Sequence, residues 1–208
     1  MPKKTFYRLN DVKRSHIEQK AMKVINYQGY DMTTIKDVVD AAGIPRGSFY
    51  QYFEGLSDLF NHLIHIIANR KMVYMDDLVK KLDTIPFLDL FPDLTKAGLT
   101  FAKNDKEAYK FGHHLYHSHS DEVLKMRNQM ENEGIAMMET YLLKDLEKGW
   151  LKSDVDIKML AKLLYDFNAR NLVYQFYREV PFNTMIERSN AFIKILTNGV
   201  KKEAVHES

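Results

Sequence analysis

The sequence of 208 residues contains no cysteine. A disulfide framework, a thiolate zinc site and a cysteine nucleophile are therefore excluded. No apolar run approaches the roughly 20 residues that a membrane helix requires. The basic N-terminus, MPKKTFYRLN, also lacks the apolar core of a signal peptide. We expect a cytoplasmic protein with no membrane partner.

Glycine and proline are scarce, with nine and five residues, and most of them fall between segments of helical periodicity. A hydrophobic content of 45% and a charged content of 28% are typical of a globular chain. No internal repeat and no pair of strands is visible. We therefore predict an all-α protein, in which an N-terminal three-helix domain (residues 1–58) precedes a larger helical domain (residues 59–208).

The charge of the chain is unevenly distributed, although its net value is only +2. The first thirty residues contain seven Lys and Arg against two Asp and Glu, whereas the next thirty contain two against five. A basic N-terminal segment can attract phosphate groups. The alternative interpretation is a solvated tail.

Capping residues predict where the N-terminal helices begin and end. Asn10 is a plausible N-cap, Thr33-Thr34 can cap a second helix, and Gly43 has the residue type that ends one. Pro45 stands where a third helix can begin. Four helices are predicted in this part, over about 10–29, 35–41, 46–52 and from 57 toward 80.

The remaining sequence is also predicted to be helical. The stretch PFLDLFPDL (residues 86–94) is interpreted as a proline-punctuated connector or a short helix. The further predicted helices cover about 95–116, 121–148, from Asp154 or Asp156 to Glu179, and from Thr184 to Lys202. Ser118-His119-Ser120 and Pro181 mark the breaks.

The stretch GIPRGSFYQYF (residues 43–53) places two short helices around a tight turn, which is the geometry of a helix-turn-helix. The second helix of such a pair can lie in the DNA major groove. Gly47 and Ser48 leave room for the backbone to approach, and the Arg46 guanidinium can bind guanine O6 and N7. The candidate DNA-contacting residues are Thr33, Thr34, Lys36, Arg46, Gly47, Ser48, Tyr50, Gln51 and Tyr52.

Four aromatic residues occupy five positions of this stretch. Phe49 and Phe53 are four residues apart and share one helix face, so we predict that they pack the short helix against its neighbours. Tyr50 lies off that face, and Tyr52 is compatible with either role. Helical hairpins with glycine turns are common and most do not bind DNA, so the spacing alone leaves DNA binding open.

The residue types and spacings over about residues 10–62 closely resemble the tetracycline-repressor (TetR) family of bacterial transcriptional regulators. The resemblance rests on Ile17, Ala21, Gly29-Tyr30, Thr33-Thr34-Ile35, Ala41-Ala42-Gly43-Ile44, Gly47-Ser48-Phe49-Tyr50, Tyr52-Phe53 and Leu59-Phe60. It implies a DNA-binding N-terminal domain and a helical body that binds a small effector and forms a homodimer.

One position departs from the family pattern. The family usually has a lysine three residues after the phenylalanine that corresponds to Phe53, whereas this chain has Leu56. One expected phosphate contact is therefore missing. We expect cations elsewhere to compensate, with Lys3, Lys4, Arg8, Arg14 and Lys36 as the candidates.

Two apolar-rich helices near the C-terminus carry more apolar faces than one intramolecular contact requires. A symmetric interface of four helices, two from each copy, would bury these faces. Ordinary core packing within one chain is the alternative. The candidate dimer residues are Leu160, Leu164, Phe167, Ile186, Phe192, Ile195 and Leu196.

Methionine and aromatic residues of the second domain are candidates for an effector pocket, because they form adaptable apolar walls. The candidates are Phe101, Tyr109, His113, His117, Met130, Met137, Tyr141, Tyr165 and Tyr174. Ordinary core packing is the alternative for each of them. Together they favour an apolar or aromatic effector.

The segment HHLYHSH (residues 113–119) could instead belong to a metal site, since His113 and His117 are spaced i, i+4 on a helix and His119, Asp121 or Glu122 could complete it. No catalytic set stands out, and we expect neither enzymatic activity nor a cofactor. The preferred function is a ligand-responsive repressor released from a palindromic DNA operator. A helical carrier of apolar ligands and a metal-dependent enzyme built on residues 113–122 stay open at this point.

Overall fold

The computed structural model describes residues 1–198, and this part of the chain contains helices and no strand. The helices of the N-terminal part are α1 (Lys4–Tyr7), α2 (Asp11–Gln28), α3 (Ile35–Ala42), α4 (Arg46–Tyr52) and α5 (Leu56–Val79). A single 3-10 turn, Lys80–Asp83, follows α5. The next helices are α6 (Phe87–Asn104), α7 (Lys106–His117) and α8 (Asp121–Glu147). The last are α9 (Ile157–Tyr165), α10 (Val173–Tyr177) and α11 (Phe182–Asn198). The all-α prediction is confirmed.

The predicted N-terminal helices have the expected bounds because their caps form. The Asn10 side chain accepts a hydrogen bond from the Lys13 N–H at 2.8 Å, which starts α2. Gly29 follows α2 with a φ of +80°, a conformation that side chains disfavour. Local residue types therefore decide where this helix begins and ends.

The first nine residues differ from the solvated tail that was one interpretation of the sequence. They form the short helix α1, and the Phe6 side chain is fully buried. The backbone N–H of Lys3 donates a hydrogen bond to the carbonyl of Tyr52 at 2.8 Å. Phe6 is an apolar residue within a basic segment, and the charge of the segment does not reveal that it is buried.

Residues 86–117 were divided wrongly by the sequence prediction. Helix α6 runs through Pro92, and the break falls at Asp105 rather than near residue 94. Asp105 is the N-cap of α7, and its carboxylate accepts a hydrogen bond from the Ala108 N–H at 2.9 Å. Proline disfavours a helix interior, but the flanking residues Phe87 and Phe91 are buried in the core. Tertiary burial therefore outweighs the local preference.

The segment predicted as one helix up to Glu179 is divided in the structure. Asp156 is its N-cap, and a π-helical turn (Asp166–Leu172) separates α9 from α10. Gly149, with a φ of +72°, terminates the preceding helix as predicted. The predicted end of the last helix at Lys202 lies outside the described residues.

The chain packs as two compact units, and α5, α6 and α8 each contribute residues to both. The first unit contains Met1–Tyr74 and Phe101–Gly134. Its core is built from α1 to α5 with α7 and the start of α8, and includes Phe6, Ile17, Ile25, Val38, Phe49, Phe53, Phe60, Leu63, Phe111 and Val123.

The second unit contains Met75–Thr100 and continues from Ile135 to the end of the described chain. Its core includes Leu82, Phe87, Phe91, Leu94, Leu142, Ala161, Leu164 and Ile193. A smaller cluster contains Leu99, Leu172 and Met185. No helix within residues 1–198 is both long enough and apolar enough to cross a bilayer. A functional boundary after residue 58 stays a prediction.

Asp145 is a carboxylate in the interior of the second unit, with 1% of its surface exposed. It accepts a hydrogen bond at 2.6 Å from the backbone N–H of Phe87, the first residue of α6. Burial raises the pKa of Asp145, and this hydrogen bond opposes the rise. The start of a helix has N–H groups without acceptors in the helix itself, so Asp145 acts as a cap supplied from α8.

We predict that Asp145→Ala destabilises the protein by about 1–3 kcal/mol, because the buried Phe87 N–H loses its acceptor. Chemical denaturation followed by circular dichroism measures the free energy of unfolding. Asp145→Asn is the matched control, since its amide oxygen can still accept the bond and should retain most of the stability. Equal stability of Asp145→Ala and the wild type would contradict the assigned cap.

Candidate nucleic-acid interface

Helix α3 begins with a reciprocal cap that sets the start of the helix-turn-helix. The Thr34 hydroxyl accepts from the Asp37 N–H, and the Asp37 carboxylate accepts from the Thr34 N–H at 2.8 Å and from the Thr34 hydroxyl at 2.7 Å. These hydrogen bonds from Thr34 lower the pKa of Asp37. The Gln28 side chain of α2 also donates to the Asp37 carboxylate at 3.2 Å. The start of α3 is therefore set by its own capping box and by a contact with α2.

The turn between α3 and α4 depends on Gly43 and Pro45. Gly43 has a φ of +62° and a ψ of +36°, the left-handed conformation that glycine adopts without steric cost. Pro45 occupies the N-cap of α4, where a missing N–H costs nothing. Helix α3 therefore ends before Gly43 and α4 begins after Pro45, as the sequence predicts.

The aromatic residues of α4 divide as expected between packing and exposure. Phe49 and Phe53 are fully buried, with ring centroids 5.3 Å apart. Tyr50 is 42% exposed. Tyr52 is buried, and its ring centroid lies 5.8 Å from that of Phe6. One face of α4 is thus committed to the core and the other is available.

The start of α4 presents its polar groups to solvent. Arg46, Gly47 and Gln51 are exposed and Ser48 is half-buried. No acidic side chain among residues 1–198 pairs with Arg46, whereas Arg14 pairs with Asp11 and so is partly engaged. A Cβ added at Gly47 would meet no atom of the described chain within 4 Å, and its φ is not positive. The fold itself therefore does not require glycine at this position.

Two predicted DNA-contacting residues, Thr33 and Tyr52, are buried, and Lys36, like Thr34, bonds to a neighbouring carboxylate at the surface. The Thr33 N–H and hydroxyl donate to the carbonyls of Tyr30 (3.0 Å) and Gly29 (2.6 Å), and the side chain is buried. Tyr52 packs in the core, as described above. The exposed Lys36 ammonium pairs with Asp40 at 2.6 Å, and this pairing raises the pKa of Lys36. Thr33 and Tyr52 are consequently packing residues in this structure.

The loop that precedes α3 is held by the turn between α7 and α8. The Asp31 carboxylate accepts from the Ser118 hydroxyl at 2.5 Å and from the His119 N–H at 3.3 Å. The buried Tyr30 hydroxyl donates to Glu122. Burial, together with Glu122, raises the pKa of Tyr30. These long-range contacts position the start of α3, and no sequence pattern indicated them.

Comparison with known proteins agrees with this geometry. Residues 17–63 match the family model described as bacterial regulatory proteins, tetR family. This segment contains the capped helix α3, the glycine turn and the short helix α4. The chain therefore contains a DNA-binding segment of the TetR type. It is a DNA-binding transcriptional regulator of the helix-turn-helix type.

Full-length relatives extend the TetR likeness beyond this segment. The HTH-type transcriptional repressor KstR2 of Mycobacterium tuberculosis is 21% identical over 201 residues, which are 93% of this chain and 95% of that protein. Among solved structures, a protein of Syntrophomonas wolfei assigned to the TetR family has a TM-score of 0.69 at 16% identity, covering 95% of this chain and all of that one. FadR of Bacillus subtilis in complex with stearoyl-CoA has a TM-score of 0.67 at 14% identity, covering 90% and 99%. At these identities the structures show a shared fold.

The predicted effector residues fall in both packing units. The first unit contains Phe101, Tyr109, His113, His117 and Met130, and the second contains Met137, Tyr141, Tyr165 and Tyr174. Phe101 is buried, and Met130 and Met137 are exposed. A cleft in the first unit is lined by other residues, among them Glu18, Met22, Leu63 and Arg70. The effector residues stay a prediction.

The histidine segment does not assemble a metal site in the described chain. The His113 and His117 rings stack with centroids 4.1 Å apart and planes 28° apart. Burial, with the neighbouring His117 and His114, lowers the pKa of His113. Within residues 1–198, no three His, Asp or Glu side chains are grouped so that they could hold a metal ion. The metal-dependent enzyme therefore lacks the site on which it depended.

The predicted dimer residues also divide between core and surface. Leu164 is fully buried within the second unit, and the Phe167 and Phe192 rings stack at 3.9 Å. Leu160 and Leu196 are half-buried against the main core of the second unit, and Ile186 is half-buried against the smaller cluster of Leu99, Leu172 and Met185. Ile195 is exposed, as are Met159 and Leu163. Leu164 is therefore a core residue, and the dimer residues stay a prediction.

We predict that Tyr30→Phe destabilises the protein by about 0.5–1.5 kcal/mol, because the buried ring keeps its packing but loses the hydrogen bond to Glu122. Tyr27→Phe is the matched control. Tyr27 is 88% exposed on α2. The free energy of unfolding of the Tyr27→Phe variant should therefore differ from that of the wild type by less than about 0.5 kcal/mol. Thermal and denaturant unfolding measure both variants. Equal losses in the two would contradict a role for the Tyr30 hydroxyl.

Proposed function

We propose that this protein is a repressor that occupies a palindromic DNA operator as a dimer and leaves it when a small apolar or aromatic effector binds. The observation that carries the proposal is the exposed start of α4. Arg46 and Gly47 have no role in the packing of residues 1–198, yet they stand on a helix whose other face is fully committed to the core.

Arg46 and Gly47 suit the major groove for different reasons. A guanidinium can donate two hydrogen bonds to guanine O6 and N7 at once. A residue without a side chain allows the helix backbone to approach the base edges closely. Ser48, Tyr50 and Gln51 lie on the same short helix and supply further donors. Thr34 and Lys36, at the start of α3, are proposed phosphate contacts.

The dimer is proposed from exposed apolar side chains and from operator symmetry. Met159, Leu163 and Ile195 are each more than two-fifths exposed on α9 and α11. A symmetric pairing of these helices would bury them. Two copies of α4 would then read two half-sites about 34–36 Å apart on one side of the duplex.

The repressor role and the effector class are supported by relatives. KstR2 is named a transcriptional repressor. FadR of Bacillus subtilis, named a transcriptional regulator, was solved with stearoyl-CoA, which combines a long apolar chain with an anionic nucleotide. We therefore propose an effector with a substantial apolar part and place acyl-CoA thioesters first among the compounds to test. A carrier without DNA binding would leave the exposed Arg46 and Gly47 without a role.

We predict that Gly47→Ala weakens operator binding by about 5- to 150-fold, the equivalent of one lost base contact of 1–3 kcal/mol. The added methyl group would separate α4 from the base edges. The operator is obtained by selecting genomic fragments with the purified wild-type protein, and affinity is measured by fluorescence anisotropy at a fixed salt concentration.

The stability of the same variant distinguishes a DNA contact from a folding defect. Alanine fits without a clash and favours a helix by up to about 1 kcal/mol over glycine. Gly47→Ala should therefore unfold at an equal or higher temperature than the wild type. Unchanged operator affinity in a folded Gly47→Ala variant would exclude α4 from close contact with the groove.

We predict that an apolar effector lowers operator affinity by about 5- to 150-fold, the usual range of coupling between two binding sites. Titration of the protein–operator complex with acyl-CoA thioesters of increasing chain length measures the release. Free CoA is the control, because it has the anionic nucleotide without the apolar chain and could compete with DNA only through charge. If no apolar or aromatic compound releases the DNA while the operator is bound specifically, the effector part of the proposal is wrong.

A further inference from the structure

Helix α4 has seven residues, which is too short for stability in isolation. The last four carbonyl groups of any helix lack N–H donors within the helix itself. In this protein the first of the four, that of Phe49, accepts from the Phe53 N–H at 2.8 Å. The other three, those of Tyr50, Gln51 and Tyr52, need donors from elsewhere.

All three donors come from residues 1–9, which we name the N-terminal arm. The Lys3 N–H donates to the Tyr52 carbonyl at 2.8 Å, and the Lys3 ammonium donates to the Tyr50 carbonyl at 3.0 Å. The Thr5 hydroxyl donates to the Gln51 carbonyl. The arm therefore completes the C-terminal end of α4 with groups that lie 46 to 49 residues away in the sequence. The charge of Lys3 also suits the negative end of the helix dipole.

Phe6 anchors the arm in the core of the first unit. Its ring is fully buried, with centroids 4.8 Å from Phe53 and 5.4 Å from His62. The His62 imidazole is in turn 2.8 Å from the Glu18 carboxylate of α2. The arm is thus fixed to α4, α5 and α2 together, and it cannot leave α4 without exposing an aromatic ring.

We infer that the N-terminal arm is a positioning element for the recognition helix: it holds α4 by its C-terminal carbonyls, so that Arg46 and Gly47 at the other end face DNA in a fixed orientation. This inference rests on the proposed contact between α4 and the operator. Lys3 and Thr5 contribute through α4 and are positioning residues. The basic arm was expected from its charge to contact phosphates directly, and that is the competing role.

Two residues of the arm are candidates for direct phosphate contact, and substituting one of them provides the control. Lys4 and Arg8 are exposed, and no acidic side chain among residues 1–198 pairs with either of them. Removing a phosphate contact lowers the slope of log affinity against log salt by about 0.9. Removing a positioning residue weakens affinity without that change in slope. The salt dependence of operator binding therefore separates the two roles.

The experiment compares Thr5→Val with Thr5→Ser and Lys4→Ala in the full chain. Thr5→Val removes the hydroxyl that donates to Gln51, and Thr5→Ser retains it. In the protein without DNA, we expect the backbone amides of α4 to exchange hydrogen about two- to tenfold faster in Thr5→Val, the factor that corresponds to one hydrogen bond, and at the wild-type rate in Thr5→Ser. Thr5→Ala gives the same comparison should Thr5→Val not fold.

Operator affinity should fall by a similar factor in Thr5→Val, with the salt slope of the wild type, and recover in Thr5→Ser. Lys4→Ala should leave the hydrogen exchange of the α4 amides unchanged and lower the slope of log affinity against log salt. Wild-type exchange and affinity in Thr5→Val would overturn the inference, as would a lower slope in Thr5→Val. If the wild type selects no duplex DNA, the proposed function fails, and the exchange comparison still decides whether the arm holds α4.

Discussion

The position of α4, the helix proposed to contact DNA, depends on the burial of aromatic rings beneath it. Phe49 on α4 and Phe53, which directly follows α4, are fully buried, and Phe6 of the N-terminal arm packs against Phe53. Seven residues of helix cannot supply enough hydrogen bonds to be stable alone. Each buried ring contributes about 1.5–3 kcal/mol relative to an exposed one, so packing rather than helix propensity maintains α4.

This constraint explains why α4 tolerates an unfavourable residue at its start. Gly47 costs the helix stability, and alanine would fit in its place. The ring cluster at the other end provides the stability that Gly47 gives up. A helix anchored at its C-terminal end can therefore have small and polar residues at its N-terminal end. Small residues there allow the backbone to approach the base edges closely.

The elements that local residue types control were predicted well, and those that distant contacts control were not. Asn10, Thr34 and Gly43 act through bonds or conformations within three or four residues, so α2 and α3 have their expected bounds. Pro92 is a local signal that burial of its neighbours outweighs. The π-helical turn at Asp166–Leu172 also has no local signature. The core residues Phe49 and Phe53 were predictable because helical periodicity alone places them on one face.

The sequence by itself determined the helical class, the capped helix-turn-helix and the two faces of α4, because each follows from periodicity or from a cap a few residues away. Only the tertiary structure decided that Thr33 and Tyr52 are buried, that Ser118 and Glu122 hold the loop before α3, and that the basic arm closes the end of α4. These contacts join groups dozens of residues apart. Hydrogen bonds at such separations carry no sequence period, since they form only once the core has brought the helices together.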